Sequence, residues 1–155
     1  MAKSGERDGS AQEVYRLLYC SRLDRSKTET DIDNYIAAII EQSRAWNPSQ
    51  GITGVLITNR VMFSQVLEGP ARAVKTLIGH IICDSRHRDV NLISHHRVSG
   101  RMFQEWSMAL IVTGSREEEN LFFPGTDGKS DILAISTFCA TVRRHLLGEM
   151  VAGRA

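Results

Sequence analysis

Phe63-Ser64-Gln65-Val66-Leu67-Glu68-Gly69-Pro70 reads as a strand that runs straight into a helix. Successive strand side chains point to opposite faces, so Phe63, Gln65 and Leu67 share one face. Gly69 supplies a permissive turn, and the Pro70 ring suits a first helical position. Gln65 is the odd residue: a neutral amide between two large apolar neighbours on what reads as a core face. A buried amide needs hydrogen-bond partners. In the plainer reading nearby backbone satisfies it. In the sharper one it serves a ligand. The stretch alone leaves both open.

Upstream, Val14 to Ser21 is rich in strand formers, and alternation puts Tyr15, Leu17, Tyr19 and Ser21 on one face. Thr30 suits a helix N-cap, with Asp31 and Asp33 in the first turn. Ile32, Tyr35, Ile36, Ile39, Ile40 and Ser43 follow at helical spacing. Pro48 disfavours helical geometry at Asn47, which predicts an end near Trp46-Asn47. Ile52 to Thr58 is a second strand, joined through Asn59-Arg60 as a two-residue hairpin to the third, Val61 to Glu68. Val74, Leu77, Ile78, Ile81 and Ile82 stripe a second helix from Pro70 to about Cys83. Val90 to Val98 is a fourth strand. Trp106 to Thr113 is a fifth, with Trp106, Met108 and Leu110 on one face.

The order β-α-β-β-α-β-β predicts an α+β fold: a ferredoxin-like split βαβ carrying one additional strand in a five-stranded mixed sheet. Right-handed crossovers put both helices on one face and the first and third strands side by side, expected parallel. The Tyr19 and Gln65 faces both carry the larger apolar neighbours, so both should look toward the helices. A facing phenol and amide under two helices looks like a site. After Thr113, Ser130 is the expected cap of a last helix, Asp131 to about Glu149. Its stripe is Ile132, Ile135, Cys139, Val142 and Leu146, widened by Leu133, Phe138 and Leu147. This segment is the natural cover for the second sheet face, or a partner surface.

The 155 residues suit one domain with a short appendage: a disordered tail at 1–13, a domain at 14–113 and a helical extension at 114–155. The net charge of +1 gives no electrostatic case for nucleic acid or an anionic membrane. No apolar run approaches the roughly 20 residues that span a bilayer. No signal peptide is visible. Cys20, Cys83 and Cys139 are widely spaced and without a CxxC, which fits a reducing cytoplasm and neither a disulfide framework nor a zinc site.

Familiar catalytic patterns are missing: GxSxG, HExxH and the P-loop. His95 and His96 are adjacent on a strand, so they point apart and cannot chelate one metal. What remains is Tyr19, Ser21, Asn47, Gln65, Trp106 and Met108, with the Asp84/Arg86/His87 loop. Tyr and Trp are readily oxidised by one electron. Asn and Gln each donate and accept, and exchange the two roles on rotation. The set suits a polycyclic heteroaromatic ligand sandwiched by the helix stripes, its polar edge read by Asn47 and Gln65. Against this, Trp106 and Met108 are common core residues, and Arg86 and His87 could be solvated.

Residues 14 to 113 resemble a BLUF domain, a blue-light sensor using FAD. The resemblance is carried by YRLLYCSR around Tyr19, WNPSQGITG from Trp46, FSQVLEGP from Phe63, DSRHRDV from Asp84 and FQEWSM from Phe103, in matching order and spacing. It implies FAD as cofactor, with FMN or riboflavin as the other flavins. It also implies Tyr19 as the photoactive tyrosine and Gln65 as the glutamine between it and the ring edge. Asn47 would contact the flavin's carbonyl and imide side. Trp106 and Met108 match the pair whose exchange of position is debated as the signal. Asp84, Arg86 and His87 match a loop near the flavin and its ribityl chain, and Ser43 a minor polar contact. Trp46 departs from the pattern, and no contact is assigned to it.

The resemblance implies a photoreceptor, not an enzyme: light drives reversible electron and proton transfer from the tyrosine, leaving the glutamine rearranged. The expected soft element is Ser107 to Glu119, leading into the last helix. Too few residues follow Thr113 for an effector, so the expectation is a cytoplasmic homo-oligomer that signals to a separate protein. Two alternatives stand: a flavin-free ferredoxin-like oligomerisation module, and a small acyl-phosphate hydrolase, disfavoured because no convincing Arg-containing anion loop follows the first strand.

Overall fold

In the computed structural model the described residues are 13–24, 26–114, 122–123 and 132–151, with side chains at 136–150 in the last segment. The elements in chain order are β1 (Val14–Leu23), α1 (Glu29–Gln50), β2 (Thr53–Thr58), β3 (Met62–Gly69), α2 (Ala71–Cys83), β4 (His87–Val98), β5 (Ala109–Val112) and α3 (Ile132–Val151). The expected tail before Glu13, the Ser130 cap and residues 115–119 of the expected soft element lie outside the described residues.

Helix α1 starts at Glu29 because Thr28 and Asp31 close a capping box. Thr28 Oγ1 accepts from the Asp31 N–H at 3.1 Å, and an Asp31 carboxylate oxygen accepts from the Thr28 N–H at 3.2 Å. Thr30 was the expected cap. Its counterpart three residues on, Asp33, instead pairs with Arg60 at 2.8 Å. The helix also runs past the expected stop, with Pro48 inside its last turn. Gly51, at φ 67°, takes the left-handed cap conformation and donates to the Pro48 carbonyl at 3.2 Å. The Ile52 N–H reaches the Asn47 carbonyl at 3.0 Å. Proline removes one ladder bond, and these cap bonds hold the turn around it.

The sheet order is β4-β1-β3-β2-β5. β1 lies antiparallel between β3 and β4, β2 is antiparallel to β3, and β5 is parallel to β2. The expected parallel pairing of β1 with β3 is therefore corrected. A right-handed crossover makes β2 parallel to β1, and the hairpin then reverses β3, so a β3 inserted between them must run opposite to both. The hairpin connection is also longer than expected, Asn59 to Val61, with Arg60 at φ 67°. Asn59 Oδ1 ties it by accepting from the Val61 and Met62 N–H groups at 3.0 and 2.8 Å.

Each sheet face has its own core. On one, Tyr15, Leu17, Tyr19, Leu56, Phe63 and Leu67 pack against Ile36, Ile39 and Ile40 of α1 and Val74 and Ile78 of α2. On the other, Leu18, Val55, Ile57, Val66 and Ile111 pack against Phe138, Cys139, Val142 and Leu146 of α3 and against Phe122 and Phe123. The expected stripe of the last helix is thus buried at these positions, except that Leu147 is 40% exposed. The side chains of Ile132, Leu133 and Ile135 lie outside the described set.

β5 is shorter than the expected Trp106–Thr113. Trp106, Ser107 and Met108 form an irregular lead-in, entered by a turn in which the Trp106 N–H donates to the Phe103 carbonyl at 3.2 Å. Strict alternation therefore does not hold there. Met108 joins the core under α1 and α2, while Trp106 packs on the α3 side. The expectation that both share one face is corrected. Among the described residues, no helix is long and apolar enough to cross a membrane.

Candidate functional site

Tyr19 and Gln65 are direct partners across β1 and β3. The Tyr19 hydroxyl donates to Gln65 Oε1, and Gln65 Nε2 donates to Met108 Sδ at 3.3 Å. Tyr19 is fully buried and Gln65 nearly so. Burial, with smaller contributions from Cys20 and Asp84, pushes the Tyr19 phenol well above its ordinary pKa. It therefore stands as a neutral donor. The amide is held at one end by a strong partner and at the other by a weak thioether acceptor.

In front of this pair, between α1 and α2, lies a cavity of about 510 Å³. Its walls are apolar where Ile39 faces Leu77 and Ile81, and Gln65 and Asn47 present amides to it. A volume within about 300–1,000 Å³ with few polar groups is typical of small-molecule sites. Tyr19 and Met108 do not line it; both stand one layer behind, in contact with Gln65. Asn47 is 1% exposed, and its Nδ2 donates to the Ser107 carbonyl at 2.8 Å. Among the described residues, its side-chain Oδ1 and second Nδ2–H are the groups available to a ligand. Ser43 lines the cavity as well.

Another wall is the 84–86 turn with His87, which is the first residue of β4 and not a loop residue, because that strand starts three residues before the expected Val90. Arg86 forks onto Asp84, Nε at 3.0 and 2.9 Å from the two carboxylate oxygens and Nη2 at 2.6 Å. The Arg86 hydrogen bond holds the Asp84 carboxyl below its usual range. His87 accepts or donates at Nδ1 with Ser21 Oγ at 3.0 Å and lies edge-on to Tyr19 with ring centroids 6.2 Å apart. Burial pushes His87 down to about 4, outweighing the Asp84 charge that raises it. The imidazole is neutral at pH 7.

Tyr19, Gln65 and Met108 are thus in one contact chain, and Ser43, Asn47, Gln65, Asp84, Arg86 and His87 line one cavity. Trp106 is not brought to it. Trp46, to which no contact was assigned, does line it, as do Gln42 and His80. The α1 periodicity carries that signal: Trp46 lies three residues beyond Ser43 and seven beyond Ile39, on their face. Among the described residues, no group of three or more His, Cys, Asp or Glu could hold a metal ion.

Sequence reading also passed over Arg16 and Glu68, a buried ion pair on the opposite sheet face. Arg16 Nε is 2.7 Å from Glu68 Oε1, and Glu68 is fully buried. The Met102 and Phe103 N–H groups donate to the same carboxylate at 3.0 Å. The available signal was a pair of opposite charges, one on each strand, flanked by the apolar Val14, Leu18 and Val66 of the same face.

The fold and cavity define a ferredoxin-like domain with a phenol–amide pair beside a cavity between two helices. The family model for sensors of blue-light using FAD matches residues 14–109. Among curated proteins, the photoactivated adenylate cyclase subunit beta of Euglena gracilis is 33% identical over 109 residues, 70% of this chain and 12% of that protein. The subunit alpha-like protein FB of the same organism is 34% identical over 116 residues, 75% of this chain and 11% of that protein. The chain thus spans about an eighth or less of these relatives. Among solved structures, the dark state of the BLUF protein BlrB superimposes with a TM-score of 0.70 at 27% identity, over 87% of this chain and 98% of that one. The photo-activated state of BlsA, at 24% identity and a TM-score of 0.71 over 84% and 94%, shares the fold. The chain belongs to the BLUF family, the sensors of blue-light using FAD.

Proposed function

We propose that the cavity holds a flavin, FAD in keeping with the family's description, and that light absorbed there is converted into a rearranged Gln65 side chain. The observation that carries this reading is the Tyr19–Gln65–Met108 chain standing behind an open, ring-accommodating cavity. The residues present fit such a group. Ile39, Leu77 and Ile81 give it apolar walls, Asn47 and Gln65 read its polar edge, and Ser43, Asp84, Arg86 and His87 border it. A flavin-free module would have no use for this cavity, which favours the sensor.

When bound, the flavin supplies a light-driven one-electron oxidant. The chain's own part is proton work. Oxidation of a phenol acidifies its O–H, and among the described residues the recipient in contact is Gln65 Oε1. The amide can take a proton at Oε1 and release one from Nε2. When Tyr19 is restored, the amide rests either as before or rearranged, by rotation, tautomerisation or both. In a rotated amide Nε2 points to the Tyr19 oxygen and Oε1 to Met108, whose sulfur cannot donate to it. The Met108 contact is then lost, and a new acceptor is offered at the cavity edge. Moving one such bond is worth about 1 kcal/mol, which shifts a two-state ratio about fivefold. No substrate is consumed, so the reading is a receptor and not an enzyme.

The signal leaves through the β5 lead-in toward α3, and we assign its reception to a separate effector protein, with the receptor acting as a homo-oligomer. Relatives named photoactivated adenylate cyclases match over a small part of much longer chains, which supports an output of the effector kind. Extracting the bound chromophore and separating FAD, FMN and riboflavin by chromatography tests the cofactor; a colourless protein that refuses all three refutes the reading. Affinity capture in light and in darkness tests the effector, and identical captures would contradict it.

A further inference from the structure

Residues 105–108 are four consecutive positions tied to opposite sides of the sheet. Ser107 and Met108 belong to the cavity side. Asn47 Nδ2 donates to the Ser107 carbonyl at 2.8 Å, Arg44 Nε to the Met108 carbonyl at 3.0 Å, and Gln65 reaches the Met108 sulfur. Glu105 and Trp106 belong to α3, and both are held by one side chain. The Arg143 guanidinium forks onto Glu105, Nη1 at 2.9 Å and Nη2 at 2.8 Å from the two carboxylate oxygens. It also donates to the Met102 carbonyl and lies 5.8 Å from the centre of the Trp106 indole. Trp106 in turn packs against Phe103 at 6.5 Å.

We propose that Arg143 is the transducing latch of this protein: a single guanidinium on α3 that reads the position of the 105–108 segment and so couples the cavity to the helix on the far sheet face. The inference rests on the sensor reading above and adds the receiving residue to it. Only two soft dihedrals per residue separate Met108 from Trp106. A displaced Met108 therefore moves the groups that Arg143 grips. The fork is planar and matches a carboxylate in one orientation, so it responds to small rotations that a point charge would tolerate. A shift of Trp106 toward the cavity would draw it away from the Arg143 guanidinium.

The test uses the flavin-loaded protein. Hydrogen exchange of α3 peptides is followed in darkness and under blue light for wild type, Arg143→Ala, Arg143→Lys and Glu105→Gln, beside the light-minus-dark absorption spectrum. The expected result is an unchanged red shift in all four, a light-dependent exchange difference in wild-type α3, and loss of that difference in both Arg143 variants. Lys keeps the charge but has no fork, so retention of a wild-type difference in Arg143→Lys overturns the proposal. So does a wild type that shows the red shift with no light response in α3. Should Arg143→Ala misfold, Glu105→Gln breaks the same fork and is expected to reduce the difference. In a Trp46→Phe background Trp106 is the sole indole. Its dark emission is expected to shift to longer wavelength when Arg143 is replaced by Ala. An unmoved emission counts against the latch even where the red shift is absent and the sensor reading itself has failed.

Discussion

The two faces of the sheet each bury a polar pair contributed by β1 and β3, and they treat it in opposite ways. On the α3 face, Arg16 and Glu68 are enclosed and fully engaged, with the carboxylate taking one guanidinium and two backbone N–H groups. On the α1/α2 face, Tyr19 and Gln65 meet behind a cavity, and the amide's second partner is a thioether. The first pair has one good arrangement. The second ties its amide on one side only to a weak acceptor, so turning it gives up little. A pair of the first kind fixes structure, and a pair of the second kind can be switched.

Substitutions on the two faces should therefore fail differently. Glu68→Ala carries the largest expected effect on stability. It leaves Arg16 buried without its partner and orphans two N–H groups, costing about 3–5 kcal/mol in chemical denaturation. The position of any light-induced red shift in the surviving folded protein should not change.

His87 gives the next effect, through pH. Its folded pKa of about 4 lies below its ordinary value of 6.5. The folded state therefore resists a proton that the unfolded chain accepts, and stability is present above pH 6.5 and lost as pH falls toward 4. The loss in the flavin-free protein is about 3 kcal/mol across that window. Asp84 is also held below its ordinary value of 3.8, so its contribution disappears only in more acid solution. In denaturation at stepped pH, His87→Gln should flatten the curve between 6.5 and 4. A variant with the wild-type slope would place the proton elsewhere.

Asn47→Ala is the smallest of the three. It removes an amide from the cavity and the tie to Ser107, and flavin affinity should fall about tenfold, or about 1.4 kcal/mol. Titration of the apoprotein with flavin measures it.

Most of the fold was legible because periodicity and turn residues agree along the chain. The helix stripes, the faces of Tyr19 and Gln65 and the five strands follow from spacing alone. The misses have local causes. Pro48 was read as a stop, but a helix tolerates proline in its final turn when Gly51 caps it. Thr28 and Thr30 each have an Asp three residues on, so sequence does not separate them; Asp31 closes the box while Asp33 pairs with Arg60. The faces of Trp106 and Met108 could not be read by alternation, since the segment is not a strand. The direction of β3 follows from the hairpin that reverses it after β2, and not from the crossover alone. The candidate site was legible as a set of residue types. Its surroundings, including Trp46 in the cavity wall and Arg143 on the far face, depend on packing that no single motif encodes.

The proposed switch is the Tyr19 phenol together with the Gln65 amide. The most direct test is the light-minus-dark absorption spectrum of the flavin-loaded wild type beside Tyr19→Phe. The account predicts a small, thermally reversible red shift in the wild type and none in Tyr19→Phe, with the flavin still bound. A Tyr19→Phe protein that shifts and recovers like the wild type would contradict it.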